Sequence, residues 1–409
     1  LVLNAPAQTV KNFSSEPGQW FKDMKEFLVA ANKKDAQDLM EKFEPVWLQG
    51  KLTSDQQAKV IEVSNFMLKK RLRPFPEFSD YINALIGFTN SGQSSEAFNK
   101  WNQSLEKLLT GKTRLFVDYI ETCSGMFASN TFYESASTRW KSASSTYVFE
   151  FDSMPYITFA STDVVCYAKG DSSVIYGIKG VYYPLLKKFI GSGGKVYWSR
   201  AGLQEGQVYA ELRNTTIDVT GADFQSDSVL FYHKQFFKSP LTGRLTDKIL
   251  ANVKPETATY PRFDSYTLTL DIKELIKDAD YRGGFSMHGI KMIGAGTKDQ
   301  KASLTFKRNS KPFLIASARS FVIRPDRINC DNASVVIRFE KDSIVHPGLQ
   351  LKYINKDRQL SLIRKTESGI QMPFFNSFHQ MDMMVDAIYW KIDDPLMELK
   401  MVSGAGESK

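Results

Sequence analysis

Hydrophobic residues recur at helical spacing between Pro17 and Thr110. This spacing places them on one face of each helix, and such faces must bury against one another. Thr53 begins a capping sequence, whereas Gly50 and Pro74 are typical helix stops. The apolar positions of the five predicted helices are Trp20, Phe21, Met24, Phe27 and Leu28; Leu39, Met40, Phe43 and Trp47; Val60, Ile61, Val63, Phe66, Met67 and Leu68; the segment 78–88; and Phe98, Trp101, Leu105, Leu108 and Leu109. Residues 1–112 therefore predict an all-α bundle that serves as a cap or docking domain.

From Arg114 onward the pattern is mostly typical of strands. Segments 147–151 and 156–159 alternate apolar and polar residues with a period of two. In the central stretch 163–198, β-branched and aromatic residues stand between the glycines Gly170, Gly177, Gly180, Gly191, Gly193 and Gly194. Short strand-like segments then follow one another to Met401 without full-length helices between them. This order excludes a doubly wound α/β sheet.

The predicted fold class is therefore α+β, with an all-α bundle (1–112) followed by an all-β repeat region (113–409). Asp-Ser pairs at 171, 227 and 342 each open a strand after a turn. This recurrence favours a β-solenoid or β-helix, with a stacked, jellyroll-like sheet as the alternative. Strands run to Met401 with no capping element, so we expect the array to continue beyond residue 409.

The bundle is expected to cover the first β layer, because the end of a stacked sheet exposes unpaired backbone groups. Phe116, Tyr119 and Phe127 follow directly after the predicted boundary. We expect these three side chains to lie between the bundle and the sheet.

The chain carries 53 basic and 45 acidic residues, a formal net charge of +8. Residues 113–409 hold +6 of this excess, so the β-rich region is the more basic part. A basic surface favours anionic partners such as a glycan or a lipid, and it also suits simple solubility. No long Lys/Arg run or nucleic-acid-binding motif is present, so we expect no nucleic-acid partner.

The three cysteines, Cys123, Cys166 and Cys330, have neither metal-binding spacing nor the pattern of a disulfide framework. The four histidines, His233, His288, His346 and His379, lack the spacing of metal ligands. No window approaches the roughly 18 apolar residues of a membrane-spanning helix. We therefore predict no metal, no cofactor and no transmembrane segment.

Two further segments, 283–296 with its Ser286 and the Asp393-Asp394 pair, resemble catalytic motifs only superficially. The glycine-rich segment 283–296 has neither dinucleotide-binding nor P-loop spacing. Ser286 lacks the second flanking glycine of a nucleophile elbow. Asp393 and Asp394 precede Pro395, which predicts a turn in preference to an acid/base pair. No catalytic residue is assigned.

One cluster combines cations with aromatic rings in the way that suits an acidic sugar or a phosphorylated lipid. Aromatic faces stack on sugar rings, and lysine or arginine donates charge-assisted hydrogen bonds to anionic groups. The candidate ligand-binding residues are Lys179, Tyr182, Tyr183, Lys187, Lys188, Lys195, Tyr197, Trp198 and Arg200. The alternative is the outward face of a sheet with ordinary lysines.

Several segments resemble a family of very large envelope proteins of Gram-negative bacteria. They are Gly177-Ile-Lys-Gly-Val-Tyr-Tyr-Pro184, Lys187-Lys188, Gly193-Gly-Lys-Val-Tyr-Trp198, and the segments 198–202, 260–266, 321–326 and 346–349. The resemblance covers most of residues 115–402 and implies a secreted, periplasmic or outer-membrane-associated protein with envelope partners. It implies no established activity. The strand rhythm is also similar to that of OstA-like jellyroll modules, which carry lipopolysaccharide.

Together these features predict a non-enzymatic envelope scaffold or binding protein for an anionic surface glycan or lipid. The alternative is a polysaccharide lyase or hydrolase on a β-helix. That activity would need Lys or Arg to neutralise a uronate and Tyr to abstract a proton.

Overall fold

The computed structural model describes residues 10–364 and 372–401. The expectation that the array continues beyond residue 409 concerns residues outside these ranges. The chain forms two compact units. The first contains 1–195, 214–224 and 249–251; the second contains 196–213, 225–248 and 252–409. Each unit is described on its own.

The first unit begins with six α-helices. They are α1 (Pro17–Ala31), α2 (Lys33–Leu48), α3 (Ser54–Lys69), α4 (Ser79–Asn90), α5 (Ser95–Thr110) and α6 (Thr113–Ser129). The five predicted helices are present, and Thr53 and Gln56 form the capping box that starts α3. Their core includes Trp20, whose ring lies 4.2 Å from that of Trp47 and whose Nε1 donates to Ser64 Oγ at 2.9 Å.

Helix α6 corrects the prediction that strands begin near Arg114. Phe116, Tyr119, Ile120, Cys123 and Phe127 are buried along one side of it. Their spacing is helical, and the following strands obscured it in the sequence. The helix ends at Asn130, whose φ of 57° is left-handed. Strand structure therefore starts at Thr131.

The described residues form 25 strands. The first nine are β1 (Thr131–Glu134), β2 (Thr138–Ser142), β3 (Val148–Phe151), β4 (Pro155–Ala168), β5 (Asp171–Tyr183), β6 (Lys188–Tyr197), β7 (Val208–Glu211), β8 (Asn214–Asp218) and β9 (Asp223–His233). The next eight are β10 (Leu241–Lys248), β11 (Arg262–Ser265), β12 (Leu270–Ile276), β13 (Ala279–Gly283), β14 (Ser286–His288), β15 (Lys291–Ala295), β16 (Ala302–Arg308) and β17 (Lys311–Ala318). The last eight are β18 (Ser320–Ile323), β19 (Arg327–Phe339), β20 (Asp342–Ile354), β21 (Gln359–Ile363), β22 (Phe374–Asn376), β23 (Met381–Met383), β24 (Ala387–Lys391) and β25 (Glu398–Lys400).

Strand pairing is antiparallel, which corrects the predicted β-solenoid or β-helix. Tight turns at Lys169-Gly170, Asn309-Ser310 and Glu340-Lys341 reverse the chain, and each places a strand beside the one before it. A β-helix instead needs the chain to travel around a coil before it pairs in parallel. Asp171 and Asp342 begin β5 and β20 after hairpin turns, as predicted, whereas Asp227 lies inside β9 and opens no strand.

Long hairpins in the second unit contribute to two layers at once. The register between β19 and β20 shifts between Cys330 and Val335, and each strand continues past this irregularity. The halves of β19 and β20 nearest their connecting turn belong to one set of paired strands, ladder A, in the order β12-β13-β16-β17-β19-β20-β22-β23. The other halves belong to ladder B, in the order β10-β11-β14-β15-β18-β19-β20-β21-β24-β25.

The core of the second unit lies between ladders A and B. Phe306 of ladder A packs 5.2 Å from Tyr353 of ladder B, measured between ring centroids. Phe313 and Trp390 meet across the layers at the same distance. Alternate residues of each strand therefore face this core, and the residues between them face outward.

Glycines of the repeat region make room for aromatic rings. Gly180 and Gly191 are cross-strand partners, and a Cβ on either would lie within 2.8 Å of the Phe189 ring. A Cβ on Gly294 would lie 2.6 Å from Tyr281 Cζ. These glycines are needed because a ring occupies the space of a side chain.

The helices of the first unit contact its strands directly. The Phe127 ring lies 5.2 Å from that of Phe149 on β3. Tyr147 Oη donates to the carbonyl of Met126 at 3.2 Å. Phe116 and Tyr119, the other two predicted contact residues, are fully buried. The structure does not test whether 1–112 and 113–409 fold as separate domains, so that division stays a prediction.

Candidate functional site

The lysines predicted to bind a ligand in the first unit lie on strands or turns near the solvent. Lys179 on β5 and Lys188 on β6 are exposed, and Lys188 has Tyr183 and Asp218 as cross-strand neighbours. Lys187 stands 5.4 Å above the ring of Tyr133. Lys195 is half-buried opposite Tyr176. Lys179, Lys187 and Lys188 are exposed, so they contribute to a mildly basic outer surface.

Two of the predicted aromatic residues belong to the core. Tyr182 is 1 % exposed; its ring stacks on Phe132, and its Oη donates to the Phe132 carbonyl at 2.9 Å. Trp198 is fully buried against Phe231, with ring centroids 5.1 Å apart. Their faces are therefore occupied by protein. Tyr183 lies outward, because adjacent residues of a strand point to opposite faces.

The remaining predicted residues belong to the second unit. Tyr197 lies 6.1 Å from the ring of Tyr209. Arg200 pairs with Asp247, a carboxylate that is 2 % exposed, and also contacts the carbonyl of Lys248. This ion pair compensates a buried charge, which indicates a structural role for Arg200.

A cavity of about 580 Å³ in the second unit is the better candidate site. It lies where several strands end, and its wall comes from six separate parts of the chain: 202–208, 233–236, 275–277, 287–292, 323–325 and 353–358. The volume falls within the usual range for small-molecule pockets. Its location follows from hairpin turns that lie along one side of the stacked strands.

Much of the wall is apolar because one row of inward residues crosses ladder B. Each member of the row is the direct cross-strand neighbour of the next: Leu245, Phe263, Met287, Met292, Ile323, Ile328, Tyr353, Leu360 and Trp390. Met287, Met292, Ile323 and Tyr353 reach the cavity. Ile290, at the turn between β14 and β15, adds a half-buried side chain. The surface they form suits a hydrocarbon ligand.

All charged residues of the lining are cations: Lys277, Arg324 and Arg358. Arg358 is neutralised, since its Nε donates to Asp393 at 2.7 Å and its Nη2 to Asp278 at 2.9 Å. The hydrogen bond to Asp393 raises the pKa of Arg358 and lowers that of the carboxyl. Arg324 has no carboxylate within ion-pair distance among the residues described, and its Nη1 reaches only the Glu256 carbonyl at 3.4 Å.

Some of the uncharged polar residues of the wall already have hydrogen-bond or stacking partners within the protein. Asn355 Nδ2 donates to the Pro325 carbonyl at 2.6 Å, and the Asn355 backbone N–H donates to the Asp326 carbonyl at 2.9 Å. His233 stacks on Phe236 with ring centroids 4.1 Å apart. Burial lowers the pKa of His233 to about 4, so this ring is neutral at pH 7 and adds no charge.

Other residues considered for chemistry have structural surroundings. His346 Nε2 lies 3.1 Å from the Met372 carbonyl, and burial lowers its pKa. In segment 283–296, Gly289 has a φ of 55° and closes the turn between β14 and β15. Asp393 and Asp394 lie in the predicted turn, where Asp394 N–H donates to the Lys391 carbonyl at 2.9 Å. The three cysteines are buried.

Within the described ranges the structure shows neither a metal-binding cluster nor a helix suited to crossing a membrane. No group of three or more His, Cys, Asp or Glu side chains is placed to hold a metal ion in 10–364 and 372–401. No helix in this part of the chain is both long and apolar enough to cross a membrane.

Comparison with known proteins leaves the site to be interpreted from its own chemistry. No family model matches the chain, and neither a curated protein nor a solved structure matches it.

The cavity is not predictable from local sequence, because the residues of its wall are far apart along the chain. Arg324 follows a hydrophobic strand and precedes Pro325. This local pattern places a cation at the end of a strand, although it does not indicate a cavity. The cross-strand row becomes visible only when the register is known.

Proposed function

We propose that the protein is a non-enzymatic envelope protein that binds an anionic lipid in the cavity of its second unit. The observation that carries this proposal is the composition of the wall, which is apolar with Lys277, Arg324 and Arg358 as its charged residues. Apolar surface stabilises a hydrocarbon chain, and cations attract an anionic head group. An anionic glycan carries hydroxyl groups around every ring and offers little continuous apolar surface, so it fits this wall less well.

The proposed location in the periplasm or at the outer membrane rests on the resemblance described above. Fractionation of cells that express the full-length natural protein tests it. Recovery in the soluble cytoplasm would contradict it.

Calorimetric titration of the delipidated protein with sodium myristate tests the cavity directly. Ile290→Trp replaces an aliphatic side chain of the wall with a bulky indole ring, so we expect myristate affinity to fall about tenfold, or ~1.4 kcal/mol. Ile293→Trp is the matched control. It alters the same hairpin, but Ile293 is absent from the cavity lining and its cross-strand neighbour is Ser286. Equal binding by wild type and both variants would refute the cavity as the site.

The glycan alternative is tested with an oligogalacturonate of defined length. If the oligogalacturonate binds equally well to Ile290→Trp and more weakly when Lys179 and Lys188 are both replaced by Gln, the ligand binds at the outer surface and not in the cavity. Shortened oligosaccharide products would show an enzyme and refute the non-enzymatic proposal.

A further inference from the structure

We infer that Arg324 recognises the head group of a single-chain anionic amphiphile, while the hydrocarbon chain lies on the methionine and isoleucine side of the cavity. This inference rests on the proposed function and adds the residue that selects the ligand and the ligand's chemical class.

Among the three cations, Arg324 is the arginine whose guanidinium retains free hydrogen-bonding capacity. Arg358 already donates to two carboxylates and to the Lys277 carbonyl. Lys277 is exposed and presents a single ammonium. Arg324 is half-buried, and its described contact is one long hydrogen bond to a carbonyl. A guanidinium offers parallel N–H donors that match a carboxylate or phosphate group.

The turn that carries Arg324 is fixed before any ligand arrives. Arg324 N–H donates to the Arg327 carbonyl at 2.8 Å and closes the turn. Asn355 holds the same turn twice, through the Pro325 carbonyl at 2.6 Å and the Asp326 carbonyl at 2.9 Å. A backbone held in this way reduces the entropy lost when the side chain binds an anion.

The apolar part of the site begins beside this turn. Ile323 precedes Arg324 directly and is the cross-strand neighbour of Met292, which in turn neighbours Met287. An amphiphile bound at Arg324 therefore finds hydrocarbon-compatible surface next to its head group. Methionine side chains adapt to chains of different shape. The volume of about 580 Å³ lies in the range for ligands of drug size, which suits one acyl chain.

The test compares two ligands of equal chain length, myristate and myristyl alcohol, on wild type and Arg324→Gln. We expect wild type to prefer myristate, and Arg324→Gln to weaken myristate binding about tenfold, or ~1.4 kcal/mol, with little effect on the alcohol. Monomyristyl phosphate is expected to follow myristate. Arg324→Lys, which keeps the charge but loses the planar fork, should restore part of the affinity.

Arg327→Gln is the matched control, because it removes the same charge from the same turn. Arg327 pairs with Asp326 and is absent from the cavity lining. Circular dichroism of each variant confirms that the fold is retained. Equal loss of myristate binding in Arg324→Gln and Arg327→Gln would refute specific recognition in favour of a general charge effect.

The outcomes separate this inference from the proposed function. If Ile290→Trp abolishes myristate binding but Arg324→Gln does not change it, the cavity binds lipid and the inference about Arg324 is wrong. If wild type binds neither myristate nor the alcohol, the proposed function itself is wrong.

Discussion

The carboxyl group of Asp80 gives the clearest prediction of how stability depends on pH. Asp80 lies in the first turn of α4 and is half-buried. Burial, followed by the negative charges of Glu121 and Glu77, raises its pKa from 3.8 to about 6. The native state therefore holds this proton more tightly than the unfolded state does.

The sign follows from proton binding. Between pH 3.8 and about 6 the folded protein carries more protons at this site than the unfolded chain, so stability falls as the pH rises through this window. The difference between the unfolded-state and folded-state pKa values corresponds to a change in the free energy of unfolding of about 3 kcal/mol at most. Because Asp80 keeps part of its contact with water, we expect about 1–2 kcal/mol after allowing for solvent screening.

Asp80→Asn removes the charge and keeps the shape of the side chain. We expect the variant to be more stable than wild type at pH 7 by about 1–2 kcal/mol, with a difference that shrinks toward pH 4.5. Thermal unfolding followed by helical circular dichroism between pH 4.5 and 8 measures this. Asp55→Asn is the control: its carboxylate is exposed and pairs with Lys59 at 2.8 Å. A difference for Asp80→Asn that is absent at pH 7, or constant across the range, would refute the reasoning.

Three further predictions concern packing. Gly294→Ala should lower the free energy of unfolding, measured by chemical denaturation, by about 1–3 kcal/mol, because the added Cβ would overlap the Tyr281 ring. The control Gly206→Ala should change it little, because a Cβ at Gly206 would have no neighbouring atom within 4 Å. Phe127→Ala should lower the free energy of unfolding by about 3–5 kcal/mol, because it removes a ring buried against Phe149. In the same thermal melts the control Phe378→Ala should change stability very little, because that side chain is 68 % exposed. Arg308→Gln should lower the free energy of unfolding by about 1–2 kcal/mol, because Arg308 donates to the carbonyls of Ile392 and Asp394 and stacks on Trp390. An unchanged free energy of unfolding in chemical denaturation would contradict a role for Arg308 in holding the two layers together.

The helical bundle was predictable because its signal is local. The stripe that begins at Trp20 repeats within a few residues, and the capping residue Thr53 lies beside the helix that it starts. Helix α6 was missed although Phe116, Tyr119 and Cys123 follow the same spacing. Gly111 ends α5 and is typical of a helix stop, so the sequence at 110–113 predicts a boundary where a sixth helix in fact begins.

The β region was predictable as strands and turns but not as an arrangement. Alternation of apolar and polar residues sets which side chains face inward, yet the same alternation fits parallel and antiparallel sheets. The turns at Lys169 and Asn309, both with positive φ, decide for hairpins. The same alternation divides the predicted ligand-binding residues, since Tyr182 and Tyr183 are adjacent in sequence and face opposite sides.

The cavity itself follows from side-chain size along the row that crosses ladder B. Where the row carries Trp390, the Phe313 ring of ladder A packs 5.2 Å from it; Tyr353 packs at the same distance from Phe306 and also borders the cavity. Where it carries Met287, Met292 and Ile323, the space beside these smaller side chains stays open. The same strand ends bring Arg324 to that gap on a turn that Asn355 holds in place. Apolar surface and a cation without a carboxylate partner among the described residues thus meet at one position because strand register aligns them, although no short segment of the sequence contains both parts of the site.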